Sequence, residues 1–148
     1  MRVRRVLEAA PLRYLWALPV TVLGLLVAFI ARSSGGALRR VDGVLEVAGG
    51  WPAQLLRWGF PFIGAVAAIT LGHVVLGVSW DALTASRTHE RAHVRQFERW
   101  GVLLLLLYPL AGLLAWLRGG HPYRDNVFEC EARAAEGMAS CKPTPPRI

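Results

Sequence analysis

The sequence predicts an α+β fold led by an N-terminal transmembrane helix. Three observations carry this. An uncharged run from Tyr14 to Ala31 follows a basic start. Stretches rich in β-branched residues and punctuated by glycine come next. A polar helical segment, Asp81 to Trp100, then lies directly before a second strongly apolar run, Gly101 to Leu117. At 148 residues the chain amounts to one modest domain. It is 54% hydrophobic with a mean hydropathy of +0.38, more apolar surface than an interior of that size absorbs, so part of it should face lipid.

The net charge of +7 comes almost wholly from arginine. These arginines lie beside apolar runs and form no aromatic-basic module, so anionic membrane lipid is the expected partner and nucleic acid is not. Two cysteines, Cys130 and Cys141, exclude a disulfide framework and a four-cysteine metal site.

Residues 1–31 form a basic N-terminus and membrane anchor. The Tyr14–Ala31 run is long enough to span a bilayer. A cleaved signal would have a shorter apolar core and a small-residue cleavage site before RSSGG. Arg2, Arg4, Arg5 and Arg13 precede the run, and Arg32, Arg39 and Arg40 follow it, so the two flanks balance. Arginines around the later helices favour a cytoplasmic-facing site. Residues 32–40 read as a linker and residues 41–138 as the domain. VDGVLEVAGG opens the domain as a short strand, and WPAQLLRWGF is an amphipathic connector. The uncharged stretch Pro61–Ser79 could form a second span. Gly64, Gly72, Gly77 and its β-branched bias instead favour strands or a hairpin broken near Leu71-Gly72. VFECEARAAEGM reads as a short helix, and residues 139–148 as a disordered, proline-rich tail.

The chemistry concentrates in THERAHVRQFERWG. His89 and His93 are four apart, so both imidazoles share one helix face, while Glu90 lies about 100° around the axis. Zn2+ needs its ligands on one face, and a carboxylate beside them can take a proton from a water without itself binding the metal. This is the H-E-x-x-H arrangement of zinc peptidases. Gln96, Phe97 and Trp100 extend the histidine face and should be buried; Arg91, Arg95 and Glu98 should be solvated. Gln96 stands where it can orient a histidine ligand. A competing reading is a charged helix with two incidental histidines.

A catalytic zinc site takes three protein ligands. Glu129, Glu131, His73 and His121 are the candidates, with Asp125 and Cys130 behind them. Glu129 also fits position N3 of a capping box begun by Asn126. His73 and His121 are most simply structural or loop residues, although His73 could lie near a substrate held along a strand edge.

HERAHVRQ followed by DNVFECEARAAE resembles the minimal gluzincin-type metallopeptidase domains of bacteria. AITLGHVVLG resembles the T-x-G strand preceding H-E-x-x-H-V-x-Q in putative eCIS-core metallopeptidases. The resemblance covers roughly residues 63–136. It implies a minimal zincin-like core of short strands, an HExxH helix, an apolar interfacial or re-entrant helix and a C-terminal glutamate helix. It further implies His89 and His93 as Zn2+ ligands, Glu90 as general base, and Glu129 as third ligand by the E-x-x-A spacing to Ala132, with Glu131 as the alternative. The family's Asp after that alanine is Arg133 here.

The resemblance sets a constraint. A straight helix over Gly101–Leu117 reaches about 25 Å and crosses a bilayer once, which would part Glu129 from His89. A shared metal therefore requires this run to be re-entrant or interfacial, with a bend expected at Tyr108-Pro109. The first functional reading is hydrolysis of a peptide or protein substrate. The alternatives are a non-enzymatic membrane protein with a structural or vestigial metal site, and a multi-span protein without metal.

Overall fold

A computed structural model describes residues 2–61 and 63–138, with side chains from Leu12 onward. The expected tail at 139–148 lies outside the described residues. The chain folds as α+β: α1 (Arg2–Ser33), β1 (Ala37–Val41), β2 (Val44–Ala48), α2 (Gly50–Trp58), β3 (Ala68–Leu71), β4 (Val74–Gly77), α3 (Trp80–Trp100), a 3-10 turn (Gly101–Leu103), α4 (Leu104–Leu117) and α5 (Val127–Ala135).

The four strands form one mixed sheet in the order β1-β2-β4-β3. β1–β2 and β3–β4 are antiparallel hairpins, and β2 runs parallel to β4. The β3–β4 hairpin turns at Gly72-His73, as the β-branched pattern of Pro61–Ser79 favoured. The first hairpin differs from expectation. The sequence marks a linker as far as Arg40, but a strand begins at Ala37, and VDGVLEVAGG contains a turn as well as a strand. Asp42 and Gly43 supply the reason. Both take positive φ, 46° and 80°, the requirement of a two-residue turn whose twist matches its strands.

Side chains alternate across the sheet. Val47, Val74 and Leu76 face α1 and α2, joining Ala28, Ala31 and Leu56. Val44, Ala48 and Val75 face α3, joining Leu83 and Val94. With both faces covered, the central strands β2 and β4 carry apolar residues at nearly every position, Glu46 being the charged exception. Buried Glu46 takes Arg39 and Arg87 at 2.8 Å each and so ties the first hairpin to α3.

Ser79 starts α3 by accepting a hydrogen bond from the Ala82 amide. Leu12–Ser33 and Trp80–Leu117 are each long and apolar enough to cross a membrane by length and composition. The second is not one straight rod. His93 and Tyr108 would lie about 22 Å apart along a continuous helix, yet their ring centroids are 6.2 Å apart. Gly101, at φ 55° and ψ −138°, reverses the chain. A Cβ there would stand 2.7 Å from the Trp16 carbonyl oxygen. The bend is thus at Gly101, and Pro109 lies inside α4 without ending it. The reversal also leaves Trp100 38% exposed, where the helix face alone predicted burial. Gly101→Ala should lower stability by about 1–3 kcal/mol through its backbone conformation alone. Chemical denaturation with an unchanged midpoint would contradict that.

Candidate metal centre

α3, α4 and α5 meet around three donor groups. His89 and His93 come from one face of α3, and Glu129 from the first turn of α5. These three could hold a metal ion. The Nε2 atoms of the histidines are 3.1 Å apart. Glu129 Oε2 is 3.2 Å from His89 Nε2, and Oε1 is 3.2 Å from His93 Nε2. A tetrahedral ion bonded at about 2.0–2.1 Å has ligand-to-ligand edges of about 3.3–3.4 Å, so the triangle is nearly of that size. Glu129 Oε2 is buried and has no hydrogen-bond partner among the described residues, despite its closeness to His89. An orphaned buried carboxylate oxygen beside one imidazole nitrogen, with its twin oxygen equally close to the second imidazole, fits a cation among them.

Each donor is held from behind. His93 Nδ1 meets Gln96 Oε1 at 2.8 Å. The Gln96 amide in turn donates to the Phe128 carbonyl at 2.9 Å and to Glu131 at 3.0 Å. His89 Nδ1 meets Glu136 at 3.3 Å. The Tyr108 hydroxyl donates to Glu129 Oε1 at 2.5 Å. Asn126 caps α5 by accepting from the Phe128 amide, while its own amide donates to the Tyr108 carbonyl at 3.0 Å. One residue therefore fixes the start of α5 against α4. Glu129 occupies N3 of that helix, but its carboxylate reaches the histidines.

Glu90 lies on the wall of a cavity of about 270 Å3 that also contains the three donors. The Thr70 hydroxyl, from β3, donates to Glu90 Oε2 at 2.6 Å. Phe60, Ile63, Ile69, Leu104, Leu105 and Pro109 make most of the remaining wall apolar.

Burial shapes the electrostatics. It pushes the Glu90 carboxyl above the usual carboxylate range, against the pull of Thr70 and the imidazoles. For Glu129 burial acts upward too, but the adjoining histidines and Tyr108 outweigh it and hold the carboxyl well below that range. Burial opposes charge on His89 and His93, and Glu129 overcomes it, so both imidazoles are held above their ordinary value. Burial and the neighbouring Glu129 push the Tyr108 and Tyr123 hydroxyls up, keeping both as neutral donors.

The other sequence candidates lie elsewhere. Glu131 holds Gln96 and Arg99 and does not join the histidines, because the helix turns it away from Glu129. His73 sits in the β3–β4 turn, stacked on Tyr14 with centroids 4.3 Å apart. Its ring nitrogens contact Thr21 and Glu98, and it does not line the cavity. Contact with His73 also leaves Glu98 only partly exposed. His121 accepts from the Tyr123 and Arg124 amides in the α4–α5 loop. Asp125 caps the same loop through the His121 amide.

Three contributors were missed as site residues. Thr70 was visible only as part of the T-x-G resemblance. Tyr108 carries a signal of its own, as the one hydroxyl-bearing side chain inside GVLLLLLYPLAGLLAWL. Glu136 has no local signal, since its meeting with His89 depends on how α5 crosses α3. It places a carboxylate behind a histidine where the family pattern would use the position of Arg133.

The fold and centre together define a small α+β domain with a buried His-His-Glu group able to hold a metal. No family model, curated protein or solved structure matches the chain.

Purified protein should contain about one metal ion per chain, a four-coordinate site needing no second ion. His93→Ala should lose it. Glu136→Gln should weaken binding by about 10–100-fold, the usual cost of removing a histidine's supporting group. Binding should also weaken as pH falls through the raised histidine range, since protons then compete for the same nitrogens. Competition titration with a chromophoric chelator reads all three. Equal affinity in wild type and His93→Ala would overturn the assignment of the centre.

Proposed function

We propose that the protein is a membrane-associated zinc peptidase. His89, His93 and Glu129 are the zinc ligands, and Glu90 is the general base. The convergence of those three donors at tetrahedral spacing, with a hydrogen-bonded carboxylate on the same cavity wall, carries this reading. Two imidazoles and one carboxylate are a donor set typical of catalytic zinc and leave a fourth position for water or substrate.

A zinc ion held there supplies Lewis acidity toward the scissile carbonyl and toward the attacking water. The protein's residues do the rest. Glu90 accepts the proton of that water and passes it to the departing amine; its raised affinity for protons suits both roles. Thr70 fixes the carboxylate through one oxygen and leaves the other for the proton. Tyr123 stands on the cavity wall as a neutral hydroxyl donor for the oxygen that gains charge, while the Tyr108 hydroxyl proton stays directed at Glu129. β3 is an edge strand of the sheet and lines the cavity, so an extended substrate adds to it as another strand.

Glu90→Gln should keep the metal and lower peptide hydrolysis by about 10²–10⁴-fold, the usual contribution of a positioned proton acceptor. Metal content and cleavage of a quenched fluorescent peptide library, measured on the same preparation, test this. Wild-type cleavage by the metal-loaded variant would remove Glu90 from the mechanism.

A further inference from the structure

The two apolar helices leave a surface that neither the sheet nor the metal centre uses. α1 is not a free-standing anchor. Ala17, Val20, Gly24, Ala28 and Ala31 form its buried stripe. At Gly24 the approach is so close that a Cβ would stand 2.8 Å from both the Leu71 carbonyl oxygen and Val74 Cβ. From Ala17 to Ala31 the helix is seated over about 21 Å at 1.5 Å per residue. The opposite face exposes Leu15, Leu26 and Phe29, the last at 72%. α4 likewise exposes Leu106, Leu110 and Leu117, with Leu106 at 70%. The two helices approach one another where Trp16 packs on Gly101.

A perpendicular α1 would carry the seated sheet to the same depth in the bilayer. The hydrocarbon core is about 30 Å thick, so the 21 Å contact would lie within it. The open edges of β1 and β3 would then meet lipid, as would exposed Arg95 and Arg99 of α3. Unpaired strand edges and clustered charges are not tolerated there. An α1 lying along the membrane, with the sheet on its aqueous side, meets neither difficulty.

Charge identifies the partner. No acidic residue occurs at 9–41 or 99–124. Exposed Arg13 and Arg32 bracket the apolar face of α1, and exposed Arg99 and Arg118 bracket that of α4. Trp16 and Trp116 are 49% and 60% exposed on the same two helices. Arginine and tryptophan around an apolar face match the headgroup layer of an anionic bilayer. A second copy would set arginine against arginine. We propose that the outer faces of α1 and α4 sit together in one leaflet of an anionic membrane, with α1 lying in its plane and not crossing it.

The test places epitope tags before Met1, in the Asp42–Gly43 turn and after Ile148, each in a separate full-length protein made in bacterial cells. Protease is applied to right-side-out and to inverted vesicles. All three tags should be cut in one preparation and protected in the other. Purified full-length protein should float with phosphatidylglycerol vesicles, and Leu106→Glu with Leu110→Glu should weaken flotation at unchanged metal content; unchanged flotation would remove α4 from the membrane face. An N-terminal tag on the side opposite the turn tag would overturn the proposal, because α1 would then span. A C-terminal tag opposite the turn tag would do the same for α4. Recovery as a soluble dimer that does not float would assign the face to a second copy. Tag positions do not depend on zinc or hydrolysis, so this result is independent of the peptidase reading.

Discussion

The architecture depends on a carboxylate that has almost no water. Glu129 is 2% exposed, and withdrawing a carboxylate from solvent costs several kcal/mol unless opposing charge and hydrogen bonds offset it. His89 and His93 supply the first from α3, and the Tyr108 hydroxyl supplies the second from α4. Three helices are thereby held to one point. None of these contacts forms if α4 continues straight from α3, so the reversal at Gly101 is the backbone condition for the whole centre.

The same requirement explains what the sequence discloses. HERAH is legible because helical periodicity alone puts two imidazoles on one face, and the β3–β4 strands are legible because β-branched residues and glycine act locally. The DG pair at 42–43 is an equally local hairpin signal, hidden by reading 41–50 as a single strand. The fold-back of the apolar run follows from pairing His89 with Glu129. The bend itself is less accessible: proline at 109 is the more familiar helix breaker, while the glycine at 101 acts through a positive φ that only three dimensions display. Glu136 and Thr70 are less legible still, because each acts across a contact between distant segments.

Arg133 stands where the gluzincin pattern has a carboxylate, a departure that by itself favours a vestigial site. Glu136 offsets it. Three residues further along the chain, at the end of α5, it meets His89 Nδ1, so the imidazole still has an anion behind it to set its tautomer and orientation. The apolar wall of the cavity continues onto α4, with Leu105 and Pro109 contributing.

The central claim is that two imidazoles of α3 and one carboxylate of α5 share an ion. X-ray absorption at the zinc edge of the purified, zinc-loaded chain tests it most directly. The account predicts a shell of nitrogen and oxygen donors at about 2.0–2.1 Å, with the multiple-scattering pattern of two imidazoles and no sulfur. A sulfur shell at about 2.3 Å, or a single-imidazole pattern, would contradict it.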